Sequence, residues 1–384
     1  MTGGVIDPVA NTIVDLAAGG DTLADTGEPI GSVLSLEAAG YTSFIPSKYG
    51  DGFDGPTVFA GPTSFVRDLN ATDVAFLAGA AVNARMCTIF ATGTLNIVAI
   101  PTGGLFTHPL TTSGTNVVDG NNAAVNVAGT NQQGGLGSVG TLFNAAAGAA
   151  GATNAGTNGT SVTVTSSWAG GRPGVGGTAG TGSTGAGGAA GTLTEISLNS
   201  FPRHGELQTL GNFAGGIASP SGPSGGGDGT AGASGAGGGG AIGGPPIQIY
   251  ARRVLRSAAN PNTACIVARG GKGGNGGTPA AGNRGGGAGA PGSGGGVVRI
   301  VCEELAGTPH VDCVSVTGGD GGTAGNGTGT GTAGTGAPAG FGGRLIVWCR
   351  SAIPLCVVTD RTAVGGNAGI GTAGGIATPA LCTL

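Results

Sequence analysis

The sequence predicts an all-β protein, in which stacked short strands form β-solenoid or sandwich-like repeats and ordered, extended polyglycine-type tracts lie between them. The first reason is a series of short runs rich in Val, Ile, Thr and Phe, bounded by Gly, Asn and Pro, with no long stretch of helical period. The second is that strand-like segments in the last third of the chain align with one another. The third is glycine, which supplies 89 of the 384 residues, against about 7% in ordinary proteins.

The composition also excludes several classes of protein. Hydrophobic residues make up 39% and the net charge is −4, whereas disordered chains are poorly hydrophobic and highly charged. Basic residues form no patch typical of a nucleic-acid footprint. The densest group, Arg252, Arg253 and Arg256, is interpreted as a solvated strand edge. Because there is neither a secretory signal nor an apolar run of about 18 residues, we expect a soluble, initially cytoplasmic protein with no membrane partner.

The chain divides into three predicted zones. Residues 1–47 form an N-terminal attachment or lead-in segment whose short apolar stretches could be helical turns or strands. Residues 48–168 form a β-rich domain with close turns. Residues 169–384 form a glycine-rich repeat domain, with strand repeats at about 244–292, 293–339 and 340–384.

The repeats can be aligned by their first strand, which begins at about Pro246, Val297 and Arg344. Alternate positions then fall into three columns of small or apolar residues, which predict one buried face with a period of two. The columns are Ile247, Val298 and Leu345; Ile249, Ile300 and Val347; and Ala251, Cys302 and Cys349. The opposite face carries mixed residues such as Gln248, Tyr250 and Arg299, and we expect it to be more exposed.

The second strand of each repeat is predicted to begin at Cys265, Cys313 and Cys356, at spacings of 48 and 43 residues. A glycine doublet follows each of these cysteines, with a delay of a few residues in the third copy. Each unit has too little apolar surface to fold alone, so the units should stack on one another. The glycine tract at 270–296 is not collagen-like, because a glycine at every third place is missing. A flexible linker is the alternative, although a linker should not recur in register.

The cysteines are the most specific chemical feature. Seven are present, and six of them are candidates for disulfide bonds or cross-links: Cys265, Cys302, Cys313, Cys349, Cys356 and Cys382. They could serve simply as small core hydrophobes. Alternatively, some could oxidise after release from the cell and bridge strands or neighbouring chains. With Cys87 included the number is odd, and Cys382, near the end of the chain, is the natural candidate to reach a partner.

No enzyme, cofactor or metal site is predicted. Matches to G-x-G-x-x-G occur by chance in so much glycine, and no phosphate-binding G-x-x-x-x-G-K-[ST] exists. Cysteine pairs at C-x₂-C spacing, typical of structural zinc, are missing. The adjacent Glu303 and Glu304 should point to opposite faces of a strand, so they do not suggest a glycosidase pair.

The stretch that begins at Tyr49 resembles the opening of glycine-rich, fibre-like virion proteins of tailed bacteriophages. In those proteins a "GDGSDG"-type turn precedes an Arg-Asp pair and an "IF-x-x-GTL-x-I" strand, followed by glycine tracts that alternate with Val/Ile strands. The similarity covers roughly residues 48–384. The matching positions are Gly50, Asp51, Gly52, Asp54, Gly55, Arg67, Asp68, Ile89, Phe90, Gly93, Thr94, Leu95 and Ile97. The cysteines and the Pro, Ala and Thr content of the tracts depart from the pattern.

The resemblance implies a non-enzymatic component of a phage particle, assembled in the host cytoplasm and located in the virion. We expect a structural protein that decorates or cross-links the capsid, neck or collar. Its partners would be other virion proteins and further copies of itself in a homo-oligomer, with a trimer as one option. The alternative is a receptor-binding tail fibre or adhesin that contacts the host surface, although only 4% of the residues are aromatic.

Overall fold

The computed structural model describes residues 4–7, 12–15, 48–85, 87–107, 119–123, 146–164, 170–195, 216–230, 232–256, 265–307, 314–352, 361–362 and 380–383. These residues contain strands and no helix, which confirms the all-β prediction. The chain forms two compact units, Met1–Asp51 and Gly52–Leu384. In the first unit, β1 (Gly4–Asp7) pairs with β2 (Thr12–Asp15) in antiparallel fashion. The strands discussed below belong to the second unit.

The larger sheet of the second unit has seven strands, all parallel, and is called the first sheet. In spatial order its strands are β3 (Gly55–Phe59), β5 (Leu69–Phe76), β7 (Thr88–Asn96), β11 (Ile247–Arg256), β13 (Val297–Gly307), β15 (Arg344–Ala352) and β17 (Ala380–Thr383). The sheet therefore runs across the boundary that we predicted between residues 168 and 169.

The second sheet has six parallel strands. They are, in order, β4 (Pro62–Ser64), β6 (Ala81–Asn83), β8 (Leu105–Phe106), β12 (Ile266–Val267), β14 (Val314–Ser315) and β16 (Arg361–Thr362). Each follows a strand of the first sheet in the chain, so the polypeptide alternates between the two sheets. A separate parallel pair joins β9 (Val162–Val164) to β10 (Leu193–Glu195).

The hydrophobic core consists of ladders of similar side chains on successive strands. The three columns predicted from the sequence are confirmed, because β11, β13 and β15 pair in that register and all nine residues are buried. The column that contains Cys302 and Cys349 continues through Ala251 to Ala91 and Ala71. The second sheet adds Val82, Leu105, Ile266 and Val314 to the same buried cluster. Similar side chains therefore lie directly beside one another on neighbouring strands, as in-register parallel pairing requires.

The expectation that the opposite face of these strands would be more exposed is wrong for its central part. Gln248, Tyr250 and Arg299 are all buried, and Arg299 is only 1% exposed. Tyr250 stacks on Phe90 of the neighbouring strand, with 5.3 Å between the ring centroids. This central part of the sheet is thus covered on both faces, as parallel sheets usually are, and its mixed composition did not indicate exposure.

The basic group at residues 252–256 does not form a strand edge, because β11 lies inside the first sheet, between β7 and β13. The Nε atom of Arg252 is 3.6 Å from the Glu303 carboxylate, and the Nε atom of Arg253 is 3.2 Å from the Glu304 carboxylate. Both glutamates lie on the neighbouring strand, β13. Arg256 is buried. The two adjacent glutamates therefore form ion pairs with two adjacent arginines.

The third repeat differs in register from the prediction. Val314 pairs with Arg361, so the second strand of that repeat begins four residues later than an alignment on Cys356 requires. Cys356 itself lies outside the described residues. The glycine doublet gives the correct register, since it begins four residues after Ile266, Val314 and Arg361 alike. The position of the glycine doublet, more than that of the cysteine, therefore indicates which residues of successive repeats pair with each other.

Between the strands, the described glycine-rich segments run as eleven extended arms, numbered here in chain order. They are arm 1 (119–123), arm 2 (146–152), arm 3 (156–161), arm 4 (170–182), arm 5 (185–192), arm 6 (216–227), arm 7 (233–246), arm 8 (268–277), arm 9 (285–296), arm 10 (316–327) and arm 11 (332–343). Arms 8 and 10 continue directly from β12 and β14. Arms 7, 9 and 11 lead directly into β11, β13 and β15.

Replacement of Gly289 by alanine tests how tightly the arms pack. A Cβ atom at this position would overlap backbone atoms of Gly322 and Thr323 in arm 10. We expect Gly289→Ala to lower the free energy of unfolding by about 1–3 kcal/mol, because backbone cannot move aside as a flexible side chain can.

Gly61→Ala is the matched control for chemical denaturation of the full chain. A Cβ atom at Gly61 meets nothing within 4 Å, so the change should stay within about 1 kcal/mol. Equal stability of the two variants would contradict close packing of the arms.

Candidate functional site: the hydrogen-bonded body of glycine-rich arms

Arm 9 lies at the centre of the glycine-rich region. The N–H groups of Gly285, Gly286 and Gly287 donate hydrogen bonds to three different arms, namely arms 6, 11 and 8, at 2.8, 3.0 and 2.9 Å. Their carbonyl oxygens accept from three further arms, namely arms 7, 4 and 10, at 3.0, 3.0 and 2.9 Å. Three consecutive residues thus bond to six neighbouring arms through backbone atoms alone.

The same pattern returns after three residues. Ala288, Gly289 and Ala290 donate again to arms 6, 11 and 8, in that order. Gly292, Ser293 and Gly294 continue the series with arms 11, 8 and 6. A repeat of three residues is the period of an extended three-fold helix, in which successive peptide groups point in three directions. This geometry explains how one arm satisfies six neighbours.

The arms form layers with a consistent direction. Arms 1, 8 and 10 run parallel to one another, as do arms 7, 9 and 11, arms 4 and 6, and arms 3 and 5. Arms of successive layers run antiparallel; for example, arm 9 bonds to arms 6 and 8 in the opposite direction. Because arms 7, 9 and 11 continue into parallel strands, the register of the first sheet is carried into the arms.

Glycine is required where arms approach one another. A Cβ atom at Gly287 would overlap the carbonyl of Ala236, and one at Gly292 would overlap the carbonyl of Gly319. Small residues also occupy close approaches, where Ala236, Ala288 and Ala290 are completely buried, whereas a larger buried side chain such as Ile242 lies near the end of its arm. Larger side chains at the three alanine positions would separate the backbones and break the hydrogen bonds.

Polar side chains complete the hydrogen bonding at the surface of the body. The backbone N–H groups of Lys272 and Asn275 donate to the side chains of Asp119 and Asn122, each at 2.9 Å. One arm further on, the side-chain oxygen of Asn275 accepts the N–H of Thr323 at 3.0 Å. At these positions a side-chain oxygen accepts the N–H group, in place of the backbone carbonyl oxygen that accepts it inside the body.

The same arrangement recurs on other parts of the surface. Thr332 and Thr335 accept the N–H groups of Thr181 and Thr178 through their hydroxyl oxygens, each at 2.7 Å. These threonines also contact each other in pairs, with hydroxyl oxygens 3.0 Å apart between Thr178 and Thr335. Buried serines act similarly: the hydroxyl of Ser293 accepts the N–H of Gly271 and donates to the carbonyl of Ile242.

Turns at one end of the arms are joined by a buried ion pair. The Arg284 Nε atom is 3.2 Å from the Asp228 carboxylate, and the two side chains are 6% and 9% exposed. Asp228 also accepts hydrogen bonds from the hydroxyl and the N–H of Thr230, and these bonds hold the pKa of its carboxyl well below the usual range. Backbone hydrogen bonds between Arg284 and Thr328 connect the turn between arms 10 and 11 to the turn that contains Arg284.

The residues that carry the phage-protein resemblance join successive strands of the first sheet. Asp54 pairs with Arg67 and accepts the N–H of Asn70 at 2.8 Å. The hydrogen bond from Arg67, with that from Asn70, lowers the pKa of the Asp54 carboxyl. Asp68 accepts the N–H of Thr88 at 2.7 Å. The motif therefore has a structural role at these positions.

The structure places the predicted cysteines as follows. Cys302 and Cys349 are neighbours on β13 and β15, and both are buried. Cys265 is buried just before β12, and Cys87 is half-buried. None of these four is in a disulfide bond. Cys382 lies on β17 in register with Trp348, while Cys313 and Cys356 lie outside the described residues, so the predicted cross-links stay predictions.

Within the described residues, no group of three or more His, Cys, Asp or Glu side chains could hold a metal ion. No helix of the described part of the chain is long and apolar enough to cross a membrane. Comparisons with protein-family models, with curated proteins and with solved structures found no match.

Sequence reasoning did not identify the polar residues that complete the hydrogen bonding of the arms. Their signal is a spacing of three, as in Lys272, Asn275 and Thr278 or in Asp320, Thr323 and Asn326. With glycine or alanine between them, such residues share the three-residue period of the hydrogen bonds and so fall on one side of an arm. That side is the outer surface of the body.

Replacement of Asn275 tests this role. Asn275→Ala removes the acceptor for the Thr323 N–H, and we expect a loss of about 0.5–1.5 kcal/mol in the free energy of unfolding. Asn275→Asp should retain most of the stability, because a carboxylate oxygen can accept the same bond.

Lys272→Ala is the control for this measurement, made by chemical denaturation of each full-length variant. Lys272 is exposed and lies one turn away on the same arm, so its removal should change stability by less than about 0.5 kcal/mol. A loss as large as that of Asn275→Ala would contradict the assigned role.

Proposed function

We propose that this chain is a structural protein of a tailed-phage particle, which decorates or cross-links the capsid, neck or collar and has no enzymatic activity. Two things support the proposal: the resemblance over roughly residues 48–384, and a body in which backbone fills the positions that side chains would need for a reactive site. Its partners are other virion proteins and further copies of the same chain.

The finer architecture belongs to the same proposal. We infer that the two parallel sheets are two faces of one β-solenoid, since consecutive strands alternate between them from β3 to β16. We infer equally that the arms are polyglycine-type helices that extend from the coils. The three-residue period of their hydrogen bonds supports this, as does the direct continuation of arms 7, 9 and 11 into strands.

The observation that carries the structural role is the environment of arm 9. Its six neighbours bond to it mainly through backbone atoms, so arm 9 is held at several points along its length. Such a body resists bending in every direction, because displacement of one arm breaks bonds to several others. A particle component that holds subunits in place needs this resistance more than it needs a cleft.

A second candidate, a receptor-binding adhesin, is favoured by one observation. The turns after arms 6, 8 and 10 meet at one end of the body, where they present Thr230, Asn283 and Thr330. The charges of Asp228 and Arg284 neutralise each other there. This leaves a polar, uncharged tip rich in hydroxyl and amide groups, which suits a contact with a host surface.

Electron microscopy of purified phage particles labelled with a gold-conjugated antibody against the full chain separates the two candidates. We expect label on the head, neck or collar and unchanged adsorption to host cells in the presence of the antibody. Label at the tail tip together with blocked adsorption would favour the adhesin. Particles that carry no label and contain none of the chain by mass spectrometry would contradict both.

A further inference from the structure

Cys302 and Cys349 are two thiols held side by side inside the first sheet. They lie directly opposite each other in the parallel pairing of β13 and β15, and they are 0% and 1% exposed. Their side chains lie on the same face of the sheet, because residues directly paired on parallel strands share a face. We propose that these two thiols form a reversible disulfide bond between neighbouring repeats under oxidising conditions.

The spacing of the strands permits the bond. Neighbouring strands lie about 4.7–4.9 Å apart, which falls inside the range of about 4.4–6.8 Å between Cα atoms in disulfides. Rotation about the side-chain bonds turns the sulfur atoms toward each other. The Cβ atoms of a parallel pair are spaced like the strands, so they must approach by a few tenths of an ångström to reach the roughly 3.5–4.5 Å found in disulfides.

The column in which the cysteines lie also favours this pair. On the three preceding strands the same height is occupied by Ala251, Ala91 and Ala71. Alanine therefore satisfies the packing at this level of the core, and a small hydrophobe is all that packing requires. Among the described strands in this column, β13 and β15 carry cysteine, whereas β17 has Thr383 in register with Cys349.

The reaction needs an oxidant, and a low-molecular-weight disulfide such as oxidised glutathione supplies it. The Cys349 or Cys302 thiolate attacks the glutathione disulfide, and a mixed disulfide forms with release of one glutathione. The second cysteine then displaces the other glutathione. The protein loses two protons and two electrons, and two molecules of reduced glutathione are produced.

Burial controls the rate of this reaction. Loss of solvation, together with the neighbouring Cys349, raises the pKa of the Cys302 thiol well above its usual range, so little thiolate exists in the closed state. Oxidation therefore proceeds through local opening of the sheet. β15 is suited to such opening, because β17 is the one described strand beyond it and end strands open most readily.

The bond would close a loop that contains β14, arm 10 and arm 11. Closing a loop of this length reduces the freedom of the unfolded chain, so the folded state becomes more stable. We expect the melting temperature of the oxidised full-length protein to rise by roughly 5 °C, and a reducing agent should reverse the change. The proposal concerns the sheets alone and does not rest on the proposed function.

The test is incubation of the reduced full-length chain with oxidised glutathione, followed by alkylation in denaturant and mass spectrometry. Trypsin with a glutamate-specific protease should yield Ile300–Glu303 linked to Leu345–Arg350, because Arg299, Glu303, Arg344 and Arg350 provide the cleavage sites. Melting temperatures are measured on the same samples before and after reduction.

Three variants accompany the wild type. Cys302→Ala and Cys349→Ala should fold, since alanine occupies the equivalent positions of three other strands, and each should lose both the linked peptide and the gain in melting temperature. Cys87→Ala should retain both. Thiols at 302 and 349 that stay free after prolonged oxidation, a stable glutathione adduct at either one, or a linked pair without a rise in melting temperature would overturn the proposal.

Discussion

Hydrogen bonds between the backbones of neighbouring glycine-rich arms are the interaction on which this structure depends. Fixing glycine costs more conformational entropy than fixing any other residue, so a chain with 89 glycines folds only if that cost is offset. The arms offset it by bonding peptide groups in three directions along their length, as Gly285, Gly286 and Gly287 do. Absence of Cβ atoms permits the approach, and each bond lies among others that exclude water.

The two sheets provide what the arms lack. Ladders such as Ile249, Ile300 and Val347 bury apolar side chains and set one register for successive repeats. Arms 7, 9 and 11 then enter β11, β13 and β15 without a break, so the spacing between strands becomes the spacing between arms. At the surface of the described arms, polar residues such as Asn275 and Thr335 accept backbone N–H groups of a neighbouring arm through their side chains.

Much of this fold could be predicted because strand pairing in parallel register leaves a direct trace in sequence. The buried columns of β11, β13 and β15 were predicted correctly, since period-two apolar residues fall at equal offsets in each repeat. The register of the third repeat was predicted wrongly, because Cys356 indicates an earlier start of the second strand than the glycine doublet does. The burial of Gln248 and Arg299 could not be predicted, as composition does not reveal what covers a second face. The tip pair of Asp228 and Arg284 joins residues far apart in sequence and has no local pattern.

Amide hydrogen exchange of the full-length chain, followed by mass spectrometry, tests most directly whether backbone bonding holds the arms in place. If it does, amides of arm 9 exchange as slowly as those of β13, although arm 9 has almost no side chains to shield it. Exchange in arm 9 at the rate of an unstructured peptide, while β13 stays protected, would contradict the account. The arms would then be loose connections between strands.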